Sequence, residues 1–204
     1  VNFEKHTNGG ELNIRINGLF FTRVEPSYIC ELDVIPIETL LMTQTKDDKL
    51  IEGIIHSFKN YGLGDIKHNR KRTISAFILS ICLIDQLASF RYPKMVTDLA
   101  KRAEDFISEY IPAFSGLKLY TIFRHAIIHN YSSVRRYALT NDKEFKKPFA
   151  KENGVIIINT NALIKEIIKG FNKLELELLT NGSEARKNAI ARAKKHPPLM
   201  HKII

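Results

Sequence analysis

An arginine and two histidines stand close together in RHAIIH, residues 124–129, inside the longer run LKLYTIFRHAIIHNYS. These side chains hold phosphate and move protons. A guanidinium stays charged and grips phosphate oxygens two at a time. An imidazole, with an ordinary pKa of about 6.5, takes and returns a proton at neutral pH. Three readings fit Arg124, His125 and His129. In the first they are structural, His129 bonding a backbone carbonyl and Arg124 pairing with an acid. In the second, His125 and His129 are metal ligands four apart on one helix face, although no HExxH glutamate accompanies them and the third ligand is unidentified. In the third they carry out phosphoryl chemistry.

Helical geometry sharpens the question. At about 100° per residue, Leu119, Ile122, Phe123 and Ala126 form one stripe, the face expected in the core. Leu117, Thr121 and Ile128 fall near the opposite pole, flanked by Arg124 and His125. Leaving a whole Ile in water forfeits about 1.5–3 kcal/mol, so the second face is expected to be covered as well. The cover is another helix or a second copy of the chain; a dimer with the polar trio at its rim is favoured. Arg124 and His129 diverge by about 140° on a straight helix. They share one cleft only through the long reach of arginine, a distorted helix end, or a partner subunit. His125 and His129 do share a face.

RHAIIH, followed by Asn130, resembles the motif of the HEPN domains (higher eukaryotes and prokaryotes nucleotide-binding). That motif is an Arg, then Asn, Asp or His, then a short spacer and a His, on a late helix of an α-helical bundle. The setting is similar too: the apolar AFILSICLIDQLASF before it, an amphipathic helix next, and a hairpin plus helix after it. The resemblance covers about residues 35–180. It implies a mainly α fold, a HEPN-like four- or five-helix up-and-down bundle with small β-hairpins at the N-terminus and before the last long helix. It also implies a metal-independent ribonuclease without cofactor, acting as a homodimer and serving as a toxin or phage-defence (abortive-infection) effector, in some cases with an antitoxin partner. The alternative is a non-catalytic RNA- or nucleotide-binding or protein-interaction module.

In the ribonuclease reading, His129 is the general base on a ribose 2′-OH or the acid toward the leaving 5′-oxygen. Arg124 stabilises charge building on a phosphorane-like transition state, and His125 orients Arg124 or the phosphate. Two motifs across a dimer supply one base and one acid. Asp85 is a supporting candidate. It is the only charge in residues 73–90, and a buried lone carboxylate is costly without a partner. Arg124 is one candidate partner; Arg91, or exposure at the end of the bundle, is the other outcome. Asn130 and Tyr131 either line the same cleft or simply pack. Arg70, Lys71 and Arg72, with Arg135 and Arg136, are expected RNA-backbone contacts or solvated surface.

The chain as a whole is compatible with such a partner. Of 204 residues, 31 are Lys or Arg against 22 Asp or Glu, a formal charge of +9, which favours a polyanion or plain solubility. Cys30 and Cys82 form no paired framework, so a reducing cytoplasm fits best. The start is polar, without a signal peptide, and the apolar run 74–84 is too short to span a bilayer; no membrane association is expected.

The elements that must position these residues fall into three parts: an N-terminal extension with a hairpin (1–34), the helical domain (35–180) and a basic C-terminal helix and tail (181–204). In the first, Leu12, Ile14 and Ile16 alternate up to Asn17-Gly18, a type I′ signal, with Leu19 and Phe21 on the same face. Helical spacing runs through residues 37–58, interrupted by TQTKDDK, with Asp47 or Asp48 as a cap. NYGLGDIKHNRKR, with two glycines, is expected as a loop; its GxG is no phosphate cradle, because no strand leads in and no GK[ST] follows. Residues 73–90 form a helix buried on most sides. The next helix, opened by Pro93, carries a stripe of Val96, Leu99, Ala100, Ala103, Phe106, Ile107 and Tyr110, and Pro112 ends it. Ser115 is expected to cap the RHAIIH helix. RRYAL (135–139) and GVIIIN (154–159) are expected to pair as a hairpin. Asn159 or Thr160 then caps a helix with an apolar face from Leu163 to Leu178. The last helix, with Arg186, Arg192, Lys194 and Lys195, docks a partner or stays in solvent.

Overall fold

The computed structural model describes residues 3–8, 11–16, 19–22, 45–92, 99–123 and 137–196. The chain divides after Thr43 into Val1–Thr43 and Gln44–Ile204. In the smaller unit, β1 (Phe3–Asn8), β2 (Glu11–Ile16) and β3 (Leu19–Thr22) form an antiparallel sheet in that order. Ile14 lies opposite Phe21 and Ile16 opposite Leu19, as the alternation predicts. β1 leaves no mark in the sequence, because FEKHTN carries too few apolar residues to alternate visibly. It completes the third strand that a hairpin needs to be stable.

The larger unit is mainly helical. α1 (Lys46–Ser57) opens on a capping box. Thr45 Oγ1 accepts from Asp48 N at 3.1 Å, and Asp48 Oδ2 accepts from Thr45 N at 2.8 Å. The cap is therefore Thr45, and Asp48 is its reciprocal partner. The expected loop forms only over residues 69–72, which are a turn, while its glycine-marked part is helical. Residues Phe58–Leu63 continue α1 as a π-helical segment, and α2 (Gly64–His68) follows. Neither glycine takes a positive φ. Gly62 is needed for proximity, since a Cβ there would sit 2.7 Å from Leu83 Cδ1.

α3 (Thr73–Arg91) is the central helix, with Ala76, Phe77, Ile81, Ile84, Leu87 and Ala88 all buried. Among the described residues it is the one helix long and apolar enough to cross a membrane by length and composition, so the short run 74–84 understated it. More than half of that span is instead packed inside the protein. α4 (Leu99–Tyr110) buries Ala103, Phe106, Ile107 and Tyr110 as its stripe predicts, but Leu99 is exposed. A 3₁₀ turn at Pro112–Phe114 ends it, and Ser115 closes that turn rather than capping the next helix. Gly116 and Lys118, both at positive φ, lead into α5 (Leu119–Phe123).

The second sheet corrects the predicted hairpin. β4 (Tyr137–Thr140) and β6 (Val155–Asn159) do pair, but in parallel. The hairpin partner of β6 is β5 (Phe149–Glu152), joined to it through Asn153 (φ 49°) and Gly154 (φ 78°), the positive-φ pair of a tight hairpin turn. β6 runs directly into α6 (Thr160–Leu179), whose cap is Asn159: its Oδ1 accepts from Ala162 N at 3.0 Å. Leu163, Ile164, Ile167, Phe171, Leu174 and Leu178 are buried as their spacing predicts.

α7 (Glu184–Lys195) is part of this unit and not a solvated appendage. Ala185, Ala189 and Ala193, four apart, are buried against α1, α3 and α6. Arg186 is buried, pairs with Asp48 and donates to the Leu178 carbonyl at 3.1 Å. Lys194 reaches Asp47 at 3.0 Å.

Candidate functional site

α5 is the run-in to the RHAIIH segment. Leu119 and Tyr120 are buried, Leu119 as the helical wheel requires. Thr121 is exposed, and its N–H and Oγ1 both donate to Glu104 Oε1, at 3.0 and 3.2 Å. These contacts tie the first turn of α5 to α4. Arg124, His125, His129, Asn130, Tyr131, Arg135 and Arg136 lie outside the described residues.

Asp85 is described, and its neighbour is Arg102 of α4, with Nη2 3.5 Å from Oδ1. Arg91, the other basic candidate for Asp85, is committed elsewhere. Its Nε donates to the Tyr110 hydroxyl at 2.6 Å and lies 3.4 Å from Glu177 Oε2, while Nη2 reaches Glu109 Oε1 at 3.3 Å. Arg102 escaped sequence reasoning because it lies in the charged-looking KRAED. A signal was there: it is four residues before Phe106 and three after Leu99, at the edge of the apolar stripe.

The Arg91 cluster joins α3, α4 and α6. Tyr92 donates to Glu109 Oε2 at 2.6 Å and Tyr110 donates to Glu177 Oε2 at 2.8 Å. Burial, and then the hydrogen bonds to these carboxylates, push both phenols well above their ordinary range. Both therefore stay neutral donors at physiological pH. Burial would raise Glu109, but the Tyr92 hydroxyl and the charges of Arg91 and Lys173 outweigh it and hold the carboxyl below its usual value. Arg91 is shifted up: burial opposes its charge, and the hydrogen bond to Tyr110 and the two carboxylates more than compensate. This is a clamp between helices, in which both phenols, both carboxylates and the guanidinium each engage another member.

The basic cluster has a different character. Arg70, Lys71 and Arg72 are all exposed, just ahead of α3. Arg70 Nε donates to Asn161 Oδ1 at 2.8 Å, Asn161 Nδ2 to the Asn141 carbonyl at 2.8 Å, and Asn141 Nδ2 to the Lys71 carbonyl at 3.3 Å. The backbone of the cluster is thus pinned beside the start of α6 and the residue following β4. Lys71 and Arg72 side chains remain on the surface, where they can meet a polyanion. Among the described residues, no three His, Cys, Asp or Glu side chains gather to hold a metal ion.

Compared with known proteins, the chain matches no family model, and no curated protein and no solved structure gives a significant match.

Proposed function

We propose that the chain is a metal-independent ribonuclease of HEPN type, working as a homodimer, with Arg124, His125 and His129 as its active residues. The supporting observation is that RHAIIH follows directly in sequence on α5, whose Leu119 and Tyr120 are buried in a mainly helical unit. That is the setting in which the resemblance expects the motif. In the proposed step a neutral imidazole removes the proton of the ribose 2′-OH, and the oxygen attacks the adjacent phosphorus. Arg124 offsets the charge on the non-bridging oxygens. The bond to the 5′-oxygen breaks, and that oxygen takes a proton from an imidazolium. One imidazole cannot be base and acid in the same step, so His129 from each of two chains is required.

A toxin or phage-defence role, silenced by an antitoxin, agrees with this activity, and the free Cys82 agrees with a reducing cytoplasm. The second reading, a binding module without cleavage, is favoured by the exposed Arg70–Lys71–Arg72 cluster. The two are separated by incubating labelled RNA with the protein in EDTA. The ribonuclease produces 2′,3′-cyclic phosphate and 5′-hydroxyl ends, leaves DNA intact, loses activity in R124A and H129A, and sediments as a dimer. Intact RNA with retained, salt-sensitive binding identifies the module instead.

A further inference from the structure

Arg102 is a guanidinium out of water with too little to hold it. It is 6% exposed, its Nε–H finds no hydrogen-bond partner among the described residues, and Asp85 is 3.5 Å away, with its own buried Oδ1 accepting no hydrogen bond there. A buried donor without an acceptor is costly, and a buried charge more so. Arg102 lines a cavity of about 130 Å³ between the end of α3, α4 and α7. Arg192, Lys195 and His196 line the same cavity, and among the described residues no acidic side chain does. Arg192 Nε is buried and likewise without a partner among the described residues. Lys195 and His196 suit the carbonyl end of α7 for its own sake. Arg102, inside another helix, has no such reason to be there.

The donor set favours phosphate over carboxylate. Two guanidinium groups, an ammonium and an imidazole exceed what two carboxylate oxygens accept, whereas a phosphate group presents three or four oxygens around a tetrahedron. Arg192 and His196 also line a second, larger space, a cleft of about 490 Å³. Phe58, Leu79, Leu83 and Phe90 give it apolar walls, Gly62 and Cys82 lie beside them, and Asp65 and Gln86 add polar lining. Phe58 and Phe90 meet edge to face at 5.3 Å. Phe58 and Gly62 come from the π-helical segment, a distortion that recurs at ligand sites.

We propose that the cavity holds the phosphate group of a small organic phosphate, and that the adjoining cleft takes the planar apolar body of the same molecule. Titration calorimetry on the full chain with naphthyl phosphate, naphthol and inorganic phosphate tests both halves. Naphthyl phosphate is expected to bind at least about tenfold more tightly than either fragment, and R192Q to weaken it by about tenfold or more. K195Q, at an exposed position, is expected to weaken it several-fold. Naphthyl phosphate is also expected to slow alkylation of Cys82, read by mass spectrometry of its peptide. The proposal is overturned by no binding at millimolar ligand, by equal affinity for inorganic phosphate, by affinity unchanged in both R192Q and K195Q, or by an unprotected Cys82. None of these readouts involves RNA cleavage, so the outcome is independent of the fate of the ribonuclease reading.

Discussion

At Glu109 a carboxyl that burial alone would raise is held low by the Tyr92 hydroxyl, Arg91 and Lys173. A carboxyl with a lower pKa folded than unfolded binds fewer protons in the folded state. Its stabilisation is complete above the unfolded value, about 4.3, and is lost as pH falls through the folded value. E109Q is therefore expected to unfold at lower urea than the parent near neutral pH, with the difference shrinking below about pH 4. Urea midpoints measured across a pH series check this; a gap independent of pH would mean that Glu109 acts through packing. The thiol of Cys82 lies on the other side of the same argument. Burial first, and the charge of Asp85 second, push it up, so it is a thiol and not a thiolate at neutral pH. It serves as a slowly alkylated reporter of the cleft rather than as a catalytic nucleophile.

Gly170 on α6 sets how closely that helix meets α4. A Cβ there would fall 2.7 Å from the Tyr110 carbonyl oxygen and 3.1 Å from its Cβ, and the oxygen is backbone that cannot swing away. Helix propensity favours alanine over glycine by about 1 kcal/mol. Overpacking costs about 1–3 kcal/mol, so G170A is expected to be net destabilising, seen as a lower denaturation midpoint with unchanged slope. Elements of this kind explain what the sequence could and could not reveal. α3, α4 and α6 were legible because one long apolar stripe or belt fixes both their period and their burial. The β2–β3 register was legible because Asn-Gly sits between two alternating runs. Gly62 and Gly64 misled because a glycine inside a helix looks the same as one in a turn until its neighbour Leu83 is known. The parallel pairing of β4 with β6 was hidden, because partner choice over such separation depends on the packing of both strands. α7 looks like a basic appendage in the sequence because its buried apolar positions are only alanines, beside a buried Arg186. RHAIIH was visible as chemistry, while the cavity around Arg102 was not, since its lining joins the neighbouring α3 and α4 to the distant α7.

For the molecule as a whole, the excess of 31 basic over 22 acidic residues bears on long-range attraction more than on fold. If RNA is the partner, Arg70, Lys71 and Arg72 supply part of its phosphate neutralisation. Each single-strand phosphate contact adds about −0.7 to the slope of log K against log salt. A triple variant with Gln at all three positions is expected to flatten that slope by up to about 2 units, measured by fluorescence anisotropy at several salt concentrations. An unchanged slope would place RNA elsewhere on the surface.

The meeting of α7 with α1, through Arg186–Asp48 and Lys194–Asp47, joins the earliest described helix of the larger unit to the latest described one. During translation the apolar seam that α7 covers on α1, α3 and α6 waits open until residue 195 has emerged. The unit cannot close in instalments from its N-terminal side, and a product truncated before residue 184 presents that seam to chaperones and proteases instead of burying it.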